Sequence, residues 1–328
     1  MVNTLRWLIH NTATLIPNMP GPRVLDNEIL VFDGACGTSL QELSIPESAW
    51  EGKEGCNELL NVTAPDAIIE THASFFEAGA MIVETNTFGA SRTVLTEYGL
   101  ELDVERINTA AVENARQAAQ GEPNRFVAGS MGPGTKLPSL GHIPHEDLFF
   151  AYREQCTALV KAGVDVLLLE TCQDLWQVKL AMIACLEVME ECDAEVPLMV
   201  SITVEQTGTM LVGTDISAAT ATIEPYPVVS LGLNCATGPT DMVSRIQYLS
   251  HNWPRRISCI PNQGLPEVVD GRTRYPLEPD EFAQHMKKFV VDFGVSIVGG
   301  CCGSTPDHIR ALTAELDGVK PGERELAT

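Results

Sequence analysis

The stretch VDVLLLETCQ, residues 164–173, indicates the architecture of the whole chain. Its apolar residues 166–169 run without interruption and end at the carboxylate of Glu170. A short, continuous apolar run of this kind is typical of a strand buried on both faces of a parallel sheet. The preceding residues, 145–163, carry apolar side chains at helical spacing and end in Gly163, a common helix stop. The segment therefore predicts a helix followed by a parallel strand.

The same alternation extends in both directions. Seven more apolar runs occur, at residues 28–37, 80–89, 125–134, 197–206, 228–239, 257–264 and 295–306. Helical periodicity marks residues 64–80, 102–121, 145–163, 175–191, 238–251, 278–294 and 305–316. Eight strand–helix units in 328 residues favour a single-domain α/β fold, the (β/α)₈ TIM barrel. A doubly wound sheet is the alternative, but no G-x-G-x-x-G follows the first strand.

We expect the barrel to cover residues 24–316, between an N-terminal extension over 1–23 and a tail over 317–328. The first residues lack the clean apolar core and cleavage site of a signal peptide, and no apolar run reaches the ~20 residues of a membrane span. The net charge of −23 argues against nucleic acid or an anionic membrane as partner. These features predict a cytoplasmic protein, in which the ten cysteines remain thiols.

Polar and sulfur-bearing residues recur where the predicted strands end. In a (β/α)₈ barrel the carboxyl ends of all strands surround one mouth, where the chemistry takes place. The residues at these ends are Asp33, Glu84 with Asn86, Ser130, Glu170, Thr203 with Glu205, Asn234 with Cys235, Asn262, and Cys301 with Cys302. Three cysteines and several carboxylates, distant in sequence, are therefore predicted to converge.

Cys235, Cys301 and Cys302 form a candidate metal site. Three thiolates with a fourth position open are a ligand pattern of catalytic zinc. Adjacent side chains of a regular strand point to opposite faces, but the glycines at 299, 300 and 303 permit a turn that brings both sulfurs to one side. The alternatives are ordinary buried cysteines or a vicinal disulfide.

The remaining cysteines and the histidines give weaker signals. Cys156, Cys185 and Cys192 fall in helical runs and Cys259 in a strand, so all four are interpreted as packing residues. Cys172 and Cys36 follow strand ends, and Cys36 is a secondary candidate ligand. His72 and His308 are expected in helices, partly buried or at the surface. His142 and His145 lie in the third strand–helix loop, where solvent exposure is the usual state.

The ordered motifs FDGACGT, ETNTFGA, GSMGPGTKLPSLGH, LLLET, LNCATGP, PNQGLP and GGCCGSTPDHI resemble the homocysteine S-methyltransferase family. Within that family they resemble the homocysteine-binding domain of cobalamin-dependent methionine synthase. The resemblance extends from about residue 31 to about residue 312, and the G-G-C-C-G ending makes the set specific.

The resemblance implies an enzyme that forms methionine from homocysteine on a zinc-binding barrel. It implies Cys235, Cys301 and Cys302 as zinc ligands that activate the substrate thiol, and Asp33 and Glu170 as partners of the substrate ammonium. Asn262 becomes a candidate fourth ligand in the absence of substrate, and Asn234 a substrate-site residue that orients Cys235. Backbone N–H groups at Gly34 and Ala35 would suit the substrate carboxylate.

Two departures from the family pattern matter. Cys36 occupies a position where methionine is usual, and the sequence carries no D-x-H-x-x-G cobalamin motif. The resemblance therefore implies methylcobalamin supplied by a separate domain or protein, so the chain is a stand-alone enzyme, a subunit of a split system or an excised domain. The alternatives are a betaine- or S-methylmethionine-dependent thiol methyltransferase, and a non-catalytic zinc- and thiol-binding module of a larger assembly.

Overall fold

The computed structural model describes residues 23–265, 267–269 and 272–327. The predicted N-terminal extension, 1–23, lies outside the described residues except for Arg23. No helix within the described ranges is long and apolar enough to cross a membrane.

Eight parallel strands form the predicted barrel. They are β1 Leu30–Val31, β2 Ile82–Glu84, β3 Phe126–Met131, β4 Val166–Cys172, β5 Leu198–Ile202, β6 Ser230–Asn234, β7 Arg256–Ile260 and β8 Ile297–Val298. The sheet order is β1-β8-β7-β6-β5-β4-β3-β2, and a parallel bridge between Phe32 and Ile82 joins its two ends. The (β/α)₈ barrel is thereby confirmed.

Helices connect the strands on the outside. The helices are α1 Cys36–Glu42, α2 Leu60–Thr63, α3 Pro65–Glu77, α4 Arg92–Leu95, α5 Val104–Ala119, α6 His145–Ala162, α7 Leu175–Glu191, α8 Ile216–Ile223, α9 Pro239–Asn252, α10 Pro279–Phe293 and α11 Pro306–Glu315. The seven segments of helical periodicity correspond to α3, α5, α6, α7, α9, α10 and α11.

The helix α8 between β5 and β6 was not predicted. Its eight residues, ISAATATI, are small or β-branched and give a weak helical signal. Its start is fixed locally, because the side chain of Asp215 accepts a hydrogen bond from the backbone N–H of Ala218 at 2.8 Å. A short antiparallel hairpin, Glu267–Val269 with Arg272–Arg274, also extends the loop after β7.

Side chains along each strand alternate between a core inside the barrel and a core against the helices. The same alternation sets the direction of the polar residues at the strand ends. Along β4, Val166 and Leu168 pack in the core inside the barrel, whereas Leu167 and Leu169 pack against the helices. The next inward position is Glu170, so its carboxyl group lies above the inner core. The same parity places Glu84, Ser130, Ser201 and Asn234 on the inner faces of their strands.

The predicted tail, residues 317–327, lies against the barrel at its amino-terminal end. The N–H of Gly322 donates to the carbonyl of Val290 at 2.9 Å, and the guanidinium of Arg324 donates to the carbonyls of Trp253 and Arg255 at 2.8 and 2.7 Å. The boundary at residue 317 therefore marks the end of the last helix, and the tail remains in contact with the domain.

Candidate active site

Three thiols meet at the barrel mouth, and we call Cys235, Cys301 and Cys302 the thiol cluster. The Sγ of Cys302 lies 3.9 Å from that of Cys235 and 4.0 Å from that of Cys301. All three sulfurs lie within 4.8 Å of one another. Zinc–sulfur bonds of about 2.3 Å in a tetrahedron place two ligand sulfurs about 3.8 Å apart. The spacing therefore fits one zinc ion.

The backbone at both strand ends is turned to achieve this convergence. Cys235 and Ala236 have φ values of 60° and 56°, in the left-handed region that few non-glycine residues adopt. Gly303, at φ 81°, makes the corresponding turn after Cys302. Such strained conformations concentrate at functional sites.

Neighbouring loops fix the Cys301–Cys302 turn by hydrogen bonds. The N–H of Cys301 donates to the carbonyl of Pro261 at 2.8 Å, and the N–H of Cys302 donates to Oδ1 of Asn262 at 3.1 Å. The N–H of Gln263 donates to the carbonyl of Cys302 at 3.0 Å. Asn262 thus orients the turn through the same oxygen that would bind a metal, and its role as a fourth ligand stays a prediction.

The thiol cluster suits deprotonated sulfur. Hydrogen bonds from Cys235 and Cys301 hold the pKa of the Cys302 thiol far below its usual value, with a further contribution from Tyr275. The same contacts raise the pKa of Cys301. The donors around Cys302 therefore stabilise its thiolate, which is the form that binds a metal cation.

Three carboxylates form a second group beside the thiols, and we call Asp33, Glu84 and Glu170 the carboxylate cluster. Oδ2 of Asp33 accepts a hydrogen bond from the N–H of Glu84 at 3.1 Å. The carboxyl group of Glu84 interacts electrostatically with those of Glu170 and Asp33. Glu170 also accepts a short hydrogen bond from the hydroxyl of Ser130.

The carboxylate cluster holds more negative charge than its surroundings support. Burial, followed by repulsion within the cluster, raises the pKa of Glu84. Burial also raises the pKa of Asp33, and it raises the pKa of Glu170 to about 7. None of the ion pairs found in the described part of the chain involves these residues. A cationic ligand would relieve the repulsion.

Sequence reasoning did not assign a role to Glu84. Glu84 appeared among the strand-end residues, and the alternation of inward and outward positions along β2 is the signal that places it at the mouth. Ile82 faces the inner core, so Glu84 two positions later must face the mouth, as Glu170 does after Leu168.

Asn234 supports Glu170 from β6, two strands away in the sheet. Its Oδ1 accepts hydrogen bonds from the N–H of Thr171 at 2.9 Å and the hydroxyl of Ser201 at 2.7 Å, and its Nδ2 donates to Oγ1 of Thr171 at 2.7 Å. A longer contact of 3.5 Å reaches Glu170. Thr171 has φ 54°, which is unusual for a β-branched residue. Asn234 therefore holds the strained turn that follows Glu170, and direct contact with substrate stays a prediction.

The loop after β1 brings Gly34 and Ala35 to the mouth. A side chain at Gly34 would meet the carbonyl of Ser304 at 2.7 Å and the ring of Phe75 at 2.8 Å. The N–H of Ala35 donates to the carbonyl of Ser304 at 3.0 Å, so a bound carboxylate would have to displace this bond. The assignment of Gly34 and Ala35 to the substrate carboxylate stays a prediction.

Several other predicted features take different places. Among the described residues, the thiol cluster does not include Cys36, which lies beside the carboxylate cluster, where burial raises the pKa of its thiol. Cys156, Cys172, Cys185 and Cys259 are buried, but the prediction of packing for Cys192 is wrong, because it follows the last residue of α7 and is exposed.

The histidines within the described ranges lie outside both clusters. His142 and His145 are exposed, as expected, although His145 is the first residue of α6 and does not lie in the loop. His72 and His308 are more buried than expected, with 0% and 3% of their surfaces exposed. His308 contacts the backbone, with Nε2 donating to the carbonyl of Leu277 at 3.0 Å.

Comparisons with known proteins extend over almost the whole barrel. A family model described as homocysteine S-methyltransferase matches residues 30–316. Methionine synthases of Mycobacterium leprae (strain TN) and Mycobacterium tuberculosis (strain ATCC 25618 / H37Rv) are 43% and 42% identical over 92% and 93% of the chain. The match covers 26% of each relative, so the chain spans about a quarter of their length.

A solved structure agrees with the fold. The metallated form of the homocysteine methyltransferase MmuM from Escherichia coli is 26% identical, with a TM-score of 0.71. The match covers 89% of this chain and 98% of that chain.

Proposed function

The chain belongs to the homocysteine S-methyltransferase family, and we propose that it transfers a methyl group to the sulfur of homocysteine to form methionine. The three sulfurs of the thiol cluster, within 4.8 Å of one another at the barrel mouth, are the observation that carries this proposal. They are the residues we assign to zinc.

The thiol chemistry explains why a metal is needed. A free thiol has a pKa near 8.5, so only a small fraction is thiolate at neutral pH. Zinc, when bound, supplies the positive charge that keeps a coordinated thiol deprotonated. The contribution of Cys235, Cys301 and Cys302 is to hold that charge with three anionic sulfurs, which leaves one tetrahedral position open and keeps the site electron-rich.

The carboxylate cluster supports recognition of an amino acid. A substrate ammonium has three N–H donors, and Asp33, Glu84 and Glu170 offer acceptors from three different strand ends. Burial raises the pKa of all three carboxyl groups, and a bound cation would stabilise their ionised forms. We therefore assign all three residues to the ammonium, and Glu84 joins the two that the sequence predicted.

For the methyl donor we propose methylcobalamin carried on a separate domain or protein. The relatives named methionine synthase are much longer than the chain, which leaves length for a donor module in those proteins. Exposed apolar side chains, Phe88, Leu140 and Leu211, lie in the loops after β2, β3 and β5. Exposed apolar groups near a site suit contact with a protein partner. We also propose a cytoplasmic location, because all ten cysteines are unpaired.

The experiment measures methionine formation by the reduced chain loaded with zinc. Homocysteine is supplied with methylcobalamin, betaine or S-methylmethionine in parallel. We expect methionine with methylcobalamin and its loss in Cys301→Ala, while Cys192→Ala, which alters an exposed cysteine outside the cluster, retains activity.

The other outcomes are decisive as well. Turnover with betaine or S-methylmethionine alone would replace the proposed donor but keep the methyltransferase assignment. Binding of zinc and homocysteine without turnover on any donor would favour the non-catalytic module. A chain that binds neither would contradict the proposal entirely.

A further inference from the structure

Tyr275 lies against the thiol cluster although no strand-end pattern indicated it. It follows the hairpin in the loop between β7 and α10 and is partly buried. Its electrostatic neighbours include all three cysteines of the cluster. Its ring packs over Gly303, the residue that follows Cys302, so the phenol lies beside the thiol cluster.

The backbone on the C-terminal side of Tyr275 is anchored. The N–H of Leu277 donates to the carbonyl of Gln263 at 3.4 Å, and the side-chain amide of Gln263 returns a short hydrogen bond to the carbonyl of Leu277. That carbonyl also accepts from Nε2 of His308 at 3.0 Å. The N–H of Gln263 also donates to the carbonyl of Cys302, so Gln263 links the segment 275–277 to the Cys301–Cys302 turn.

The ring of Tyr275 requires a glycine beneath it. A Cβ atom on Gly303 would lie 2.5 Å from Cγ and Cδ2 of the ring, closer than any real contact. Gly303 also has φ 81°, a conformation that side chains disfavour. Gly303 thus permits both the turn that aims Cys302 and the close approach of the phenol. This close fit indicates a specific contact between Tyr275 and the turn at Cys301–Cys302.

We propose that Tyr275 is a positioning residue of the thiol site, whose hydroxyl donates to Cys302 and holds that sulfur in the direction required for metal binding. The inference rests on the proposed zinc site. A phenol has an ordinary pKa of about 10, so it is a donor at neutral pH. The bond draws charge from one of the three sulfurs and makes Cys302 electronically distinct from Cys235 and Cys301.

The test compares Tyr275→Phe with the wild-type full-length chain, and Tyr248→Phe on α9 is the matched control. Zinc affinity is measured by competition with a chromogenic chelator, and the sulfur-to-metal charge-transfer band is recorded after cobalt substitution. We expect Tyr275→Phe to bind one zinc about 10- to 100-fold more weakly and to shift the band. Tyr248→Phe should match wild type in both measurements.

The outcomes separate this inference from the proposed function. If wild type binds zinc and Tyr275→Phe has the same affinity and the same band, the inference about Tyr275 is overturned and the proposed function is unaffected. A lower melting temperature with an unchanged band would show a merely structural role and would also overturn it. A wild-type chain that binds no zinc would overturn the metal site and this inference together.

Discussion

Glu170 shows at the residue scale how burial at the barrel mouth changes the pKa of a carboxyl group. Its side chain is 7% exposed, and burial raises its pKa to about 7. Its place at the mouth was predictable, because the apolar run before it ends at this carboxylate. The proximity of Glu84 to Glu170 and the packing of Tyr275 against Gly303 were not predictable, because both depend on contacts between residues far apart in sequence.

Stability of the substrate-free chain should depend on pH through Glu170. Glu170 of the folded chain holds its proton up to about pH 7, whereas in the unfolded chain it releases the proton near its ordinary pKa of 4.5. Stability is therefore lost as pH rises through this interval. Replacing Glu170 by Gln should flatten the dependence and raise the free energy of unfolding at pH 8 by about 1–3 kcal/mol. Urea unfolding gives the free energy of unfolding at pH 5 and at pH 8. The same pH dependence in wild type and Glu170→Gln would contradict the prediction.

Glu84 should contribute to substrate binding. Glu84→Gln keeps the size of the side chain and one acceptor oxygen but removes one of three charges facing the ammonium. We expect the dissociation constant of homocysteine to rise by about 10-fold or more, as for a lost charge-assisted hydrogen bond. Calorimetric titration gives the dissociation constant, with Glu146→Gln, a change at an exposed residue of α6, as the control. Equal affinities in wild type and Glu84→Gln would exclude the role.

At the scale of elements, strand parity connects the fold to the site. The inner positions of β2, β3, β4 and β6 are apolar or small in the core and become Glu84, Ser130, Glu170 and Asn234 at the mouth. Apolar runs were sufficient to predict all eight strands. The short helix α8 was missed because its stabilisation comes from Asp215 and from tertiary packing, with little contribution from helical propensity.

The packing between β6 and β7 should depend on Gly232. A Cβ atom there would overlap the hydroxyl and carbonyl of Ser258 on the adjacent strand, and backbone cannot move aside. Gly232→Ala should therefore destabilise the chain by more than about 4 kcal/mol or prevent folding. Gly129→Ala on β3 is the control, because its Cβ would meet only the flexible side chains of Leu159 and Val164 at 3.1 and 3.2 Å. Similar thermal stability of the two variants would refute the argument.

At the scale of the whole molecule, the closed barrel brings together groups separated by more than two hundred residues. Asp33 and Cys302 come from the first and last strand ends, yet the closed barrel places both at one mouth. The chain corresponds to about a quarter of the length of its methionine synthase relatives.

Simultaneous use of both clusters predicts ligand-specific stabilisation. Homocysteine at about 100 times its dissociation constant should stabilise the zinc-loaded chain by about 2.7 kcal/mol, visible as a rise of several degrees in melting temperature. Homoserine offers the same ammonium and carboxylate but has a hydroxyl in place of the thiol. It should therefore stabilise much less at equal concentration. Equal shifts with both compounds would indicate that the thiol cluster does not contact the ligand.

Zinc stoichiometry tests the central claim most directly. Elemental analysis of the reduced, full-length chain after equilibration with zinc and gel filtration should give one zinc per chain. Cys301→Ala should retain its fold by circular dichroism and less than about a tenth of the metal, because two thiolates leave the tetrahedral site incomplete. Cys192→Ala should keep one zinc. A wild-type chain without zinc, or a Cys301→Ala chain that retains a full equivalent, would contradict the account.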